Sequence, residues 1–368
     1  MREEKSRVIS VSFFKGVAIA MVVLVHYAQS FVLPDPLAKV AHFGQMGCQI
    51  FFVLSAFTLC LSFQKKPLHY VQFMKRRVLK IAVGYWMAII MYIGIAFVST
   101  GVLGYNITGS DTSFLDIFFN VMLLNGIIPT AANNHVVRGG WFIGTIVIFY
   151  SVFIGLFKLY FQMKKGLNKN VCRFLFILLP LIMVNIIYYS MGIQCENNSF
   201  AYFNFINQLP CLAVGFVLYD LYVSGDIKLV RFAGIKGTIF IIASFGMFNI
   251  TFSQNTCIFP TVFSLGFMYV FIFTENLINK RGTFAIVRGF SSAGNNSFGI
   301  YLMHPFVVYE LMIVGKKVVR LIINCNDIVL FFILISIAYI ISYATGKIFC
   351  QVEQKIRIKL SSYLLQES

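Results

Sequence analysis

Lys15 and His26 stand eleven residues apart in an otherwise apolar stretch. At 100° per residue, eleven residues leave about 20° after three turns. Both side chains therefore share one helix face, roughly 16 Å apart along its axis. A cation and a deeper imidazole on one stripe suit a long anionic substrate lying along the helix. Lys15 by itself would equally suit a residue snorkelling to the lipid headgroups, and a lone His is more often structural. A second imidazole closes the run Ser297, Tyr301, His304, which falls at i, i+4 and i+7 and so lines one helical face. Pro305 follows at once and should kink or interrupt that helix. Lys75, Arg76, Arg77 and Lys80 place four cations within six residues. They could clamp phosphates through charge-assisted hydrogen bonds, or sit as an ordinary basic cluster beside anionic lipid. Gln49 and Ser55 are polar in an aromatic-rich stretch, where hydrogen bonding between helices is the simpler role. Glu275 and Glu310 rank below the histidines.

These groups stand out because of what surrounds them. The chain has 368 residues, of which 59% are hydrophobic, 17% aromatic and only 12% charged. Soluble domains carry about 25% charged residues, so this chain could not cover its apolar surface in water. Disorder and a disulfide-stapled secreted fold are excluded. An all-α polytopic membrane protein remains, with charged groups inside its spans read as site candidates. Stretches long enough to cross a hydrocarbon core of about 30 Å fall near 8–33, 44–63, 78–99, 141–161, 173–191, 204–223, 237–252, 258–276, 297–315 and 328–350. An eleventh, 114–128, contains Asp116, Asn120 and Asn125 and reads as a re-entrant or interfacial helix.

The net charge is +17, from 30 Lys and Arg against 13 Asp and Glu. Ten spans put both termini on one side. Placing the termini inside leaves only Lys39, Arg138, Lys316, Lys317 and Arg320 outside, against 24 inside, with Lys15 within the first span. That asymmetry is the positive-inside pattern, so the basic excess is topology and needs no nucleic acid. The first apolar run is too long for a cleaved signal peptide. The chain reads as one membrane domain with a short cytoplasmic tail at 351–368. No CxxC pair, metal-ligand spacing or Gly-rich phosphate loop occurs, and no bound cofactor or metal is expected. Two of Cys195, Cys257 and Cys325 could pair in an oxidising compartment.

Five segments, in order, resemble the membrane-bound acyltransferase-3 family, over most of the chain. The first is a basic residue, ten residues, then His, here Lys15 to His26. Gly47 through Phe57 is similar to G-x-[DE]-x-F-F-V-L-S-G-F, and Phe73 through Trp86 to F-x-R-R-R-x-x-R-I-x-P-x-Y-W. Trp141-Phe142-Ile143-Gly144 sits where the family starts a helix, and Ser297 through Pro305 resembles S-[FY]-G-I-Y-L-x-H-P. Gln208-Leu209-Pro210 with Gly215 is a weaker sixth match. Lys15 stands where the family usually has Arg, Gln49 where it has an acidic residue, Ala56 the second Gly, Val83 the Pro, and Gln208 a common Arg. Ile146 and Val147 stand where many members have Glu.

The resemblance implies acyl transfer from cytoplasmic acyl-CoA, with acetyl-CoA the expected donor, to a hydroxyl of a surface polysaccharide or lipid-linked sugar such as O-antigen or exopolysaccharide, in a bacterial inner membrane. It implies His26 as base or acyl relay. Lys15, Arg76, Arg77 and Lys80 would hold CoA phosphates. Gln49, Ser55, Trp141, Ser297, Tyr301 and His304 would line the cavity on the acceptor side. A polytopic glycan exporter would instead carry inverted repeats and paired broken helices, and a glycan polymerase a large outer loop rich in Arg. Neither sign is present.

Overall fold

A computed structural model of the protein describes residues 8–103, 113–128, 136–193, 199–250, 258–323 and 325–364. Regular structure among them is helical throughout. The helices are α1 (Ile9–Ala28), α2 (Asp35–His42), α3 (Gly47–Lys65), α4 (Tyr70–Leu103), α5 (Phe114–Val121), α6 (Trp141–Gly166), α7 (Lys169–Ser190), α8 (Phe200–Phe203), α9 (Phe205–Val223), α10 (Ala233–Ile250), α11 (Ile258–Arg281), α12 (Ala285–Asn295), α13 (Ser297–Phe306), α14 (Met312–Ile322) and α15 (Asp327–Leu364). Among the described residues, eight helical segments are long and apolar enough to cross a membrane, and nine are if the bent pair Ser297–Leu311 and Val314–Ile322 counts as one. Large apolar side chains such as Ile90, Phe97 and Ile340 lie exposed on the outside of the bundle. That surface suits hydrocarbon, in which every backbone polar group must be satisfied within the helix.

Each of the ten expected stretches contains a helix among the described residues, with differences. The stretch near 237–252 is a shorter apolar helix, Ala233–Asn249. The basic cluster at 75–80 is helical too: α4 begins at Tyr70 and runs unbroken to Leu103. The segment expected as a tail continues α15 as far as Leu364. The 114–128 stretch carries only the eight-residue α5, too short to cross, started by a capping box in which Ser113 and Asp116 satisfy each other's backbone N–H. Cys195 and Cys257 lie outside the described residues, and Cys325 is a free thiol.

Helix α1 is the hub, packing against α2, α3, α11, α12, α13 and α15. Its closest crossing, with α12, is made by glycines. A Cβ on Gly294 would lie 1.7 Å from the Ser12 carbonyl oxygen, and one on Gly16 would lie 1.9 Å from that of Phe290. Small residues allow backbones to approach this closely in membranes. Far from α1, charges tie α6, α7 and α9 together. Arg173 Nε donates to Asp220 across 2.6 Å and its Nη2 to Asp226 across 2.7 Å. Lys164 also donates to Asp220, and Lys169 lies 3.0 Å from Asp226. Part of the basic excess is thus committed to pairs within the protein.

Candidate active site

Pro305 shapes the centre of the site. It has no N–H, so the Tyr301 carbonyl one turn earlier loses its helical donor. His304 Nδ1 takes that place, donating to Tyr301 O at 2.8 Å and to Ile300 O at 3.2 Å. Carbonyls only accept, so Nδ1 carries the proton, and in the neutral ring Nε2 is a bare acceptor. Nε2 is buried and has no hydrogen-bond partner among the described residues. Tyr92 repairs the next rung: the Phe306 N–H donates to its hydroxyl at 3.0 Å, and the hydroxyl donates to Leu302 O at 3.1 Å. Past this break the backbone widens into a π turn, Val307–Leu311, and the two halves of the span bend by 44°.

The π turn brings in Tyr309. In an unbroken α-helix, five residues amount to 500°, which would place Tyr309 about 140° from the His304 face. The wider turn shifts that phase, and the Tyr309 hydroxyl lies 2.8 Å from His26 Nδ1. Tyr309 donates its one proton to Gln29 Oε1 at 2.6 Å, so His26 Nδ1 donates to Tyr309 and His26 Nε2 is left as an acceptor. The two imidazoles face each other with ring centroids 5.2 Å apart. Arg138 covers the other participant, its guanidinium carbon 4.1 Å from the Tyr309 ring centroid.

The remaining expected residues fall into three places. Tyr301 joins the histidines: its ring lies 5.9 Å from His304, and its hydroxyl donates to Gly139 O. Trp141 is buried, stacked on Phe203 at 4.6 Å, and its neighbour Phe142 lies 5.6 Å from Tyr301. Gln49 is fully buried beside Tyr202 and donates to Gln208 Oε1 at 3.1 Å. The two positions where the resemblance leads one to expect an acid and an Arg therefore touch, and an amide pair occupies the place of an ion pair. Ser297 opens α13 about 10 Å along the axis from His304, and Ser55 is half-buried on α3.

Arg76, Arg77 and Lys80 line a groove of about 300 Å³ with Ser62 and Lys66, where α3 ends and α4 begins. Arg77 is held there by a 2.6 Å bond to the Ser62 hydroxyl. Lys15 is half-buried on α1 and is not among the residues lining that groove. Along α4, Lys80 and Tyr92 are about 18 Å apart at 1.5 Å per residue, and Tyr92 touches the turn that carries His304.

The family model for the acyltransferase domain, Acyl_transf_3, matches residues 8–347. The chain belongs to the acyltransferase-3 family. No curated protein and no solved structure matches it. It is thus a multi-pass membrane acyltransferase. Both histidines and the cation groove lie within the matched acyltransferase domain.

Sequence reading missed Tyr309, Gln29, Tyr92 and Arg138 as site residues. Pro305 was the available signal for the first and third, since a missing N–H next to a buried His demands a local repair. Arg138 had only the weak signal of a single cation in a loop otherwise without basic residues.

Proposed function

We propose that this acyltransferase moves an acetyl group from cytoplasmic acetyl-CoA to a hydroxyl of a surface polysaccharide or lipid-linked sugar, in a bacterial inner membrane with both termini in the cytoplasm. The observation that carries this reading is the facing pair of imidazoles, half-buried His26 and buried His304, each with its Nδ1 proton committed and its Nε2 left to accept. Acyl transfer to an alcohol needs a neutral base at the hydroxyl, and such a base contributes about 10²- to 10⁴-fold.

In this reading Arg76, Arg77 and Lys80 hold the CoA phosphates by charge-assisted bonds, with Lys15 on the path between groove and histidines. The pantetheine arm follows α4 and α1 inward and brings the thioester to His26. His26 Nε2 takes the hydroxyl proton as the alcohol oxygen attacks the carbonyl carbon. The C–S bond breaks, and the same proton passes to the leaving thiolate. Tyr309 and Gln29 keep His26 in the tautomer that makes Nε2 the base. His304 Nε2 accepts from a second hydroxyl and fixes the acceptor's orientation. Gln49, Trp141, Tyr301, Ser297 and Ser55 build the wall behind it.

The direct test is incorporation of label from radiolabelled acetyl-CoA into extractable glycan, using membranes that contain the protein. Wild-type membranes should label the glycan and His26→Ala membranes should not. Undiminished label from His26→Ala would refute the assignment of the base.

A further inference from the structure

We propose that Arg138 binds an anionic group on the acceptor, so that the acylated sugar carries a carboxylate or a phosphate close to the reacting hydroxyl. The inference rests on the acyl-transfer reading above and narrows its substrate class.

Three observations lead to it. First, the position is built. Val137 is fully buried, Gly139 adopts a left-handed φ of 82° and accepts from Tyr301 through its carbonyl, and the Gly140 carbonyl accepts from Asn125 Nδ2 at 2.5 Å. The backbone of Arg138 is fastened on its C-terminal side to the same helix that carries His304. Second, the guanidinium carbon lies over the Tyr309 ring and the group also bonds the Tyr309 hydroxyl. Its remaining N–H donors form a planar fork that matches a carboxylate or phosphate.

Third, the charge is not neutralised by an ion pair among the described residues. Three other cations expected outside are committed: Lys39 pairs with Asp35, Arg320 with Asp327, and Lys316 donates to Ser30 O at 2.5 Å. Asp116 is used by the cap of α5. Glu310 on the π turn feels the charge of Arg138 without forming an ion pair with it. A half-buried cation in a low-dielectric bundle gains most from an anion delivered to it.

Distance decides which anion. Donors for a developing oxyanion must lie about 3 Å from the reacting oxygen, whereas Arg138 sits over the Tyr309 ring and reaches His26 by its charge, with no hydrogen bond between them among the described residues. That offset suits a substituent farther along the acceptor.

The test uses the full chain purified in detergent, with radiolabelled acetyl-CoA as donor and two pairs of acceptors. One pair is methyl glucuronide and its methyl ester. The other is a farnesyl diphosphate-linked hexose and the farnesyl glycoside lacking the diphosphate. Wild type should favour one anionic member over its neutral partner by about 10- to 100-fold in kcat/KM, and the pair that shows the preference tells carboxylate from diphosphate. Arg138→Gln should bring that ratio near one, and Arg138→Lys should restore part of it. A wild-type ratio near one in both pairs overturns the proposal. So does an Arg138→Gln loss that is equal for charged and neutral acceptors, which would make Arg138 a support for Tyr309 or a counter-charge for Glu310. Failure of the parent reading looks different: no label in any acceptor, or label that survives His26→Ala.

Discussion

Changing Gln49 to Glu should destabilise the protein strongly, and changing Gln208 to Arg in the same molecule should reverse most of the loss. Both side chains are fully buried. At present Gln49 Nε2 donates to Gln208 Oε1 across 3.1 Å, while Gln208 Nε2 donates to the Tyr202 carbonyl across 2.6 Å. A carboxylate at 49 would face an acceptor oxygen, with the Tyr202 hydroxyl 3.4 Å away as a long, neutral donor, and Gln208 could turn its amide to help only by abandoning the Tyr202 carbonyl. A buried charge without a charged partner costs about 3–5 kcal/mol. Arg at 208 alone should cost less, about 2–3 kcal/mol, because Gln49 Oε1 now lacks a partner and could accept from it. With both changes the two charges meet, and the double variant should be at least ~2 kcal/mol more stable than the sum of the single losses. The assay is denaturant unfolding of the four proteins in one detergent, read as a double-mutant cycle. Strictly additive losses, or a Gln49→Glu protein as stable as wild type, would refute the reasoning.

Tyr309→Phe removes the hydroxyl between His26 and Gln29, and should lower kcat about 10- to 100-fold with little change in KM for the donor; a KM effect alone would contradict its role in fixing the tautomer. Gly294→Ala sets a methyl group 1.7 Å from the Ser12 carbonyl, and the forced separation of α1 and α12 should cost about 1–3 kcal/mol, visible as a lower melting temperature. Asp226 is held down to about 2 by its hydrogen bonds from Arg173 and then Lys169. Its folded value lies below its unfolded one, so its contribution is complete at neutral pH and is lost as pH falls from about 4 towards 2; Asp226→Asn should flatten that part of the stability profile.

The helical class was legible from the unbroken apolar runs of about 20 residues, because barrel strands alternate apolar with polar residues and such runs satisfy their backbone within helices. His26 and His304 were legible for the same reason: few polar groups in a span leave few candidates. The break after His304 could be read from Pro305, since a missing N–H acts locally. Tyr309 could not be read, because the period of 3.6 residues fails where the π turn begins. Nor could the Gln49–Gln208 contact, which joins positions 159 residues apart.

Sequence alone determined that the chain crosses a membrane repeatedly, that imidazoles stand within two of its spans, and that a cation cluster opens a third. Composition and short spacings carry that information, and both survive without any knowledge of neighbours. Only tertiary structure decided that the two imidazoles meet with rings 5.2 Å apart, that each has its Nδ1 proton committed, and that Arg138 arrives beside them from a loop. Those facts depend on how α1, α13 and the 136–140 segment pack, through glycine crossings and single hydrogen bonds between residues far apart in the chain.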